Sequence, residues 1–197
     1  MNYLAHLHIA EVTNTSFTGN FLGDFVKGNP DTQFPVTIVE GIRLHRFVDS
    51  FTDKHTQVLA AKKLFPAHLR RYAPIALDMF WDHCLAANWS DFHVLSLREF
   101  CCLAERQIEQ ETLAESVQLP ERFMRINGLV WRDKWIESYQ KISNIEYALQ
   151  RMSSHSPRMA PLAETGEVLV EHYQDFAAIF TELYADVLVA SKQFVSD

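Results

Sequence analysis

Glycine is scarce in this chain, with six among 197 residues. Strand-like alternation is nearly absent after residue 10, which excludes a β-rich fold. No apolar run approaches the ~18 residues of a membrane span, so no membrane helix is expected. The start, MNYLAHLHIA, carries no basic region and no small-residue cleavage site. It reads as structure from the first residue, in a cytoplasmic protein. Cysteine is limited to Cys84, Cys101 and Cys102, with no CxxC spacing, so reduced core thiols are expected rather than disulfides or structural zinc. There is no GxSxG, P-loop or GxGxxG. Positive charge is also short. The net charge is −7, which argues against a nucleic-acid binder.

What is present is helical periodicity. The chain reads as one all-α domain over residues 1–197, a bundle of about eight helices. Residues 1–10 alternate at Tyr3, Ala5, Leu7 and Ile9 but have no later strand partner, so they too read as helix. A second helix is predicted over 16–27 with Gly28 as its C-cap. A third spans 36–51, after which Thr52 or Asp53 caps a shorter helix ending near Phe65-Pro66. Pro74 opens a helix over 74–88. Further helices are predicted at 94–112, 120–140, 143–152 and 161–192, with the loop SSHSPRMAP at 153–161. Trp81/Trp89 and Trp131/Trp135 read as core pairs.

Several polar groups fall on faces that should be apolar. On the third helix, Glu40, Arg43, Arg46 and Ser50 form the polar face. His45 and Asp49 lie one turn apart on the other face, among Ile38, Ile42, Leu44 and Val48. On the 74–88 helix, Asp78 and Asp82 are one turn apart beside Ile75, Met79 and Leu85. His83 lies about 100° round from Asp82. Asp24 clusters with Phe17, Asn20 and Phe21, while Gly19 and Gly23 lie about 40° apart on one face and permit close helix approach. Two like charges at i, i+4 repel, and a bound divalent cation relieves this. Asp24, His45, Asp49, Asp78 and Asp82, with His83, His6 and His8 behind them, therefore form a candidate metal set. Each acid reads equally as a cap or a partner of Arg43, Arg46, Arg70 or Arg71, and Asp53 reads as a cap. Mixed Asp/His ligation suits Mn²⁺, Mg²⁺ or Fe²⁺ better than a structural zinc site, which would favour cysteine.

Charge is unevenly spread. Residues 1–71 carry eight Lys/Arg and six acids, net +2; the remainder carries ten and nineteen, net −9. The N-terminal part can present a basic surface to an acidic partner.

The segments MNYLAHLHIA, GNFLGDFVKGN (19–29), GIRLHRFVDSFTD (41–53), RRYAPIALDMFWDHCLAANW (70–89) and LVWRDKWIESY (129–139) resemble the acyl carrier protein phosphodiesterases. The likeness covers almost the whole chain, in order. It implies an all-helical, Mn²⁺-preferring branch of the HD-type phosphohydrolases. It also implies hydrolysis of the 4′-phosphopantetheine arm from the serine of holo-acyl carrier protein. The family's essential aspartate matches Asp24. The chain has no His-Asp dipeptide, only the reversed Asp82-His83, so the choice of metal ligands among His6, His45, Asp49, Asp78, Asp82 and His83 stays open.

On this resemblance Asp24 or Asp78 orients the attacking water and Arg43, Arg46 or Arg71 stabilises the phosphoryl oxyanions, with Arg46 taken as the catalytic one. Lys27, Arg43, Arg46, Lys54, Lys62 and Lys63 are the expected docking residues for the acidic carrier. Two other readings stand beside it: an HD-type hydrolase of a nucleotide or other small phosphodiester, and a non-catalytic helical protein that binds acyl carrier protein. Oligomeric state is not legible.

Overall fold

The computed structural model describes residues 1–114 and 118–196. Among them there is no strand, and eleven α-helices rather than about eight. They are α1 (Tyr3–Val12), α2 (Phe17–Leu22), α3 (Val36–Lys54), α4 (Thr56–Ala61), α5 (Ala73–Ala87), α6 (Leu97–Ala114), α7 (Glu121–Arg132), α8 (Trp135–Ser138), α9 (Ile142–Ser153), α10 (Thr165–Glu171) and α11 (Tyr173–Ser196). No helix among the described residues is long and apolar enough to cross a membrane.

The extra helices come from breaks that periodicity does not signal. Lys134 takes a left-handed conformation, φ 51°, and splits the predicted 120–140 helix into α7 and α8. His172 separates α10 from α11, and the predicted loop tightens into a 3-10 segment over Pro157–Glu164. Thr52 and Asp53 are not caps. They lie inside α3, which runs on to Lys54. The second helix stops at Leu22, not Lys27, and the Phe25 and Val26 N–H groups share the Leu22 carbonyl, at 2.8 and 3.2 Å, in the turn that follows. Asp24 thus sits in the turn just past α2, and Gly28, φ 74°, belongs to the following loop.

α1 and α5 run through the centre. Every residue of α1 from Leu4 to Ala10 is buried, the mark of a helix covered on all sides. α2, α5 and α11 pack on it, and α3 lies across α2 and α11. α2 and α3 touch at their glycines. A Cβ on Gly19 would stand 2.4 Å from the Ile38 carbonyl oxygen, so only hydrogen fits between the backbones.

Two buried helix starts are capped from a distance. Asp82 on α5 accepts from the N–H groups of Leu4 (2.7 Å), Ala5 (3.1 Å) and Asn2 (3.3 Å), closing the N-terminus of α1. Glu111 on α6 accepts from Phe17 N–H, Thr18 N–H and the Ser16 hydroxyl at the start of α2. A carboxylate meets unpaired N–H groups and the positive dipole end in each case.

Candidate metal centre

α1, α3 and the turn after α2 bring four of the candidate groups, His6, His45, Asp49 and Asp24, to one point, and α5 adds a fifth, Asp78, at its edge. His45 is the hub. Its Nδ1–H donates to the Asn20 carbonyl at 2.7 Å, which aims Nε2 the other way. There Nε2 meets Asp49 Oδ2 at 3.1 Å and Asp24 Oδ1 at 3.4 Å. It is buried and has no well-aligned hydrogen-bond partner. Gly23 makes room for the ring, since a Cβ there would lie 2.1 Å from it. His6 stacks on His45 with ring centroids 3.7 Å apart, and its Nε2 lies 3.1 Å from Asp49 Oδ1. His6 Nδ1 is buried and unpaired.

The electrostatics explain why this arrangement calls for a cation. A carbonyl only accepts, so Nδ1 carries the His45 proton and the neutral ring points a lone pair at two carboxylates. Something positive must sit among them. In the protein alone a proton does so: burial disfavours the charged ring, but Asp24 and Asp49 outweigh it and raise its pKa to about 9. Asp49 is held well below the ordinary carboxylate range, since His45 and His6 overcome its burial. Asp24 is lowered for the same reason, against burial, and its side chain is 55% exposed. Burial, with repulsion from His45, pushes His6 down to about 4, so it stays neutral. The ligand atoms of His6, His45 and Asp49 all lie within 4.8 Å of one another. The donor set of two neutral imidazoles and acidic oxygens fits a divalent cation, with Asp24 as an available fourth ligand. The Asn20 carbonyl is the outer partner that orients a ligating histidine.

The remaining expected residues are placed differently. Asp78 joins the edge of the centre through the Met1 α-ammonium, which lies 2.7 Å from Asp78 Oδ1 and 3.6 Å from Asp49 Oδ1. Asp82 and His83 do not join it. Asp82 is the α1 cap described above. His83 Nδ1 meets the Tyr139 carbonyl at 2.7 Å and its Nε2 the Tyr173 hydroxyl at 2.9 Å. His8 is buried on the opposite side of α1, with Nδ1 2.6 Å from the Tyr184 hydroxyl.

Arg46, the expected oxyanion stabiliser, is committed elsewhere: it donates to the carbonyls of Val26 (2.7 Å) and Gly28 (2.9 Å), clamping the loop behind Asp24. Arg43 pairs with Asp31 at 2.7 Å and Lys62 with Asp53 at 2.9 Å. Lys27, Lys54 and Lys63 are exposed. Sequence reasoning passed over the Met1 amine and the Asn20 carbonyl. Neither leaves a side-chain signal to find.

Comparison with known proteins covers nearly the whole chain. A family model described as acyl carrier protein phosphodiesterase matches residues 1–187. The acyl carrier protein phosphodiesterase of Photorhabdus laumondii is 40% identical over 185 residues, 93% of this chain and 91% of that protein. The protein of the same name from Klebsiella pneumoniae is 38% identical over 189 residues, covering 95% and 96%. That from Enterobacter sp. is 37% identical over 193 residues, 98% of each chain. No solved structure matches significantly.

Proposed function

Because the chain belongs to the acyl carrier protein phosphodiesterase family, we propose that it hydrolyses the 4′-phosphopantetheine arm from the serine of holo-acyl carrier protein. The products are apo-carrier and 4′-phosphopantetheine. The observation that carries this reading is the convergence of His6, His45, Asp49 and Asp24 on one point, with His45 Nε2 aimed between two carboxylates. These four residues would hold a divalent cation, Mn²⁺ by preference. When bound, such a cation supplies Lewis acidity toward phosphoryl oxygens and makes water a competent nucleophile at neutral pH. A helical His/Asp centre of this kind also supports placing the family beside the HD-type phosphohydrolases.

The chain's own groups divide the remaining work. Asp24 is ionised and half-exposed, so it can orient the attacking water and take its proton. Water oxygen bonds to phosphorus as the bond from phosphorus to the serine oxygen breaks, and the serine oxygen leaves with a proton. Asp49 holds both imidazoles in place, and the Asn20 carbonyl keeps His45 in the tautomer that ligates through Nε2. Arg46 keeps the 26–28 loop, and hence Asp24, against α3. The exposed Lys27, Lys54 and Lys63 offer positive charge to an acidic carrier.

The test is holo-carrier with Mn²⁺, read by mass spectrometry as loss of the arm, with wild type beside Asp24→Ala. Wild type should release 4′-phosphopantetheine and the variant should not. Equal turnover in both would remove Asp24 from the mechanism. No turnover in either, or cleavage of a free nucleotide diester instead, would overturn the substrate assignment.

A further inference from the structure

A phosphodiester is an anion, and Asp24, Asp49 and Asp78 make this centre acidic. A metal ion neutralises part of that charge. The extra charge that develops on the phosphoryl oxygens calls for a further cationic donor facing the same place. The arginines favoured from the sequence cannot serve. Arg43 is bound to Asp31, Arg46 to two loop carbonyls and Arg70 to the Phe65 carbonyl. Arg71 stacks over the ring of Tyr72, at the start of α5.

One arginine near the centre is uncommitted. Arg122, in the first turn of α7, places its guanidinium carbon 5.5 Å from the centroid of the Phe25 ring, the residue that follows Asp24. It makes no hydrogen bond or ion pair among the described residues, and it is exposed. Its support is rigid. Phe25 packs edge-on against Phe123 (5.4 Å) and Phe21 (6.2 Å), and Phe21 against Tyr3 (4.9 Å), the first residue of α1. That aromatic row joins α7 to the Asp24 turn and to α1. Tyr3 responds to both ends of it: after burial, Asp24 raises its pKa and Arg122 lowers it. A guanidinium held over a ring keeps its planar fork of N–H donors free, and that fork matches two phosphate oxygens.

We infer that Arg122 is the phosphate-binding residue of this centre, set by the Phe25 ring to grip the non-bridging oxygens of the phosphodiester beside Asp24. The inference rests on the function proposed above and names a residue for it. The experiment compares wild type, Arg122→Gln, Arg122→Lys and the surface control Arg125→Gln in holo-carrier hydrolysis, with inhibition by the product 4′-phosphopantetheine. Calorimetric binding of inorganic phosphate to the Mn²⁺-loaded protein runs in parallel.

Arg122→Gln should lower kcat by ~10²-fold and weaken both product inhibition and phosphate binding, with an unchanged melting temperature. Arg122→Lys should recover part of the loss, and Arg125→Gln should match wild type. If Arg122→Gln stays within about twofold of wild type in kcat and phosphate binding, the inference is wrong. A rise in KM alone, with phosphate binding intact, would make Arg122 a carrier-docking residue and overturn it as well. A wild type that binds phosphate through Arg122 but leaves holo-carrier intact would defeat the proposed substrate and keep the inference.

Discussion

His6 and His8 stand two residues apart on α1, both buried and both held neutral, yet they face opposite sides of the helix. His6 looks toward α3 and finds Asp49 and the stacked ring of His45. His8 looks toward α11 and finds the Tyr184 hydroxyl, with Trp89 and Phe100 edge-on around it. Burial is the main cause of the lowered pKa in both, to about 4. Burial of a histidine therefore does not distinguish a site from a core. The difference lies in what the ring meets. His8 meets a neutral hydroxyl and aromatic walls, which complete a packed interior. His6 meets a carboxylate, keeps an unpaired nitrogen and stands beside an exposed acid, which leaves room for a cation.

The sharpest way to break this contrast is to remove the carboxylate that the two site histidines share. Asp49→Asn should cut Mn²⁺-dependent turnover by at least ~10²-fold. The variant should also lose Mn²⁺ binding measured by calorimetry, while circular dichroism stays helical. Retained metal binding would make the His6 side no different in kind from the His8 side.

A subtler test leaves every ligand in place. Gly23→Ala puts a methyl where the His45 ring lies. The ring must move off the line between Asp24 and Asp49, and a drop in turnover of ~10-fold or more is expected. The same change should lower stability by ~1–3 kcal/mol, measured in urea. Unchanged turnover would mean that the orientation of His45 is not set by this contact.

His8→Phe should do the reverse, sparing activity per folded molecule and costing ~1–3 kcal/mol, because the buried Tyr184 hydroxyl loses its partner. The pH dependence follows from the lowered pKa. Folding holds His8 neutral, so its contribution is present above about 6.5 and is lost as pH falls toward about 4. The acid limb of the stability curve should therefore be shallower in His8→Phe, by up to ~3 kcal/mol. Lost activity in this variant at neutral pH would bring His8 into the site.

Legibility in the sequence followed the range of the interaction. His45 and Asp49 are one turn apart on one helix, so their shared position on an apolar face was readable from spacing alone. Asp24 was readable as an acid among phenylalanines, although its helix ends sooner than the pattern suggests. Asp82 showed the same signal and proved to be something else: its oxygens take the N–H groups of Leu4 and Ala5, 78 and 77 residues away. His83, held behind the acids as a further candidate, closes a contact with the Tyr139 carbonyl. Arg46 looked like a free cation on a polar face because its carbonyl partners carry no mark in the sequence. Arg122 was passed over because its position depends on how α7 packs on Phe25.

Local periodicity determined the all-α class, the apolar faces of α3 and α5, and the set of polar residues that those faces could not bury unpaired. Such signals repeat within a few residues and need no knowledge of the rest of the chain. Only the tertiary structure decided which polar groups answer one another. A buried carboxylate can be satisfied by a helix start, by an ammonium or by a pair of imidazoles and a cation. The choice depends on which backbone and side chains arrive from 40 to 80 residues away. In this chain packing gave Asp82 to the start of α1 and left Asp24 and Asp49 facing the histidines.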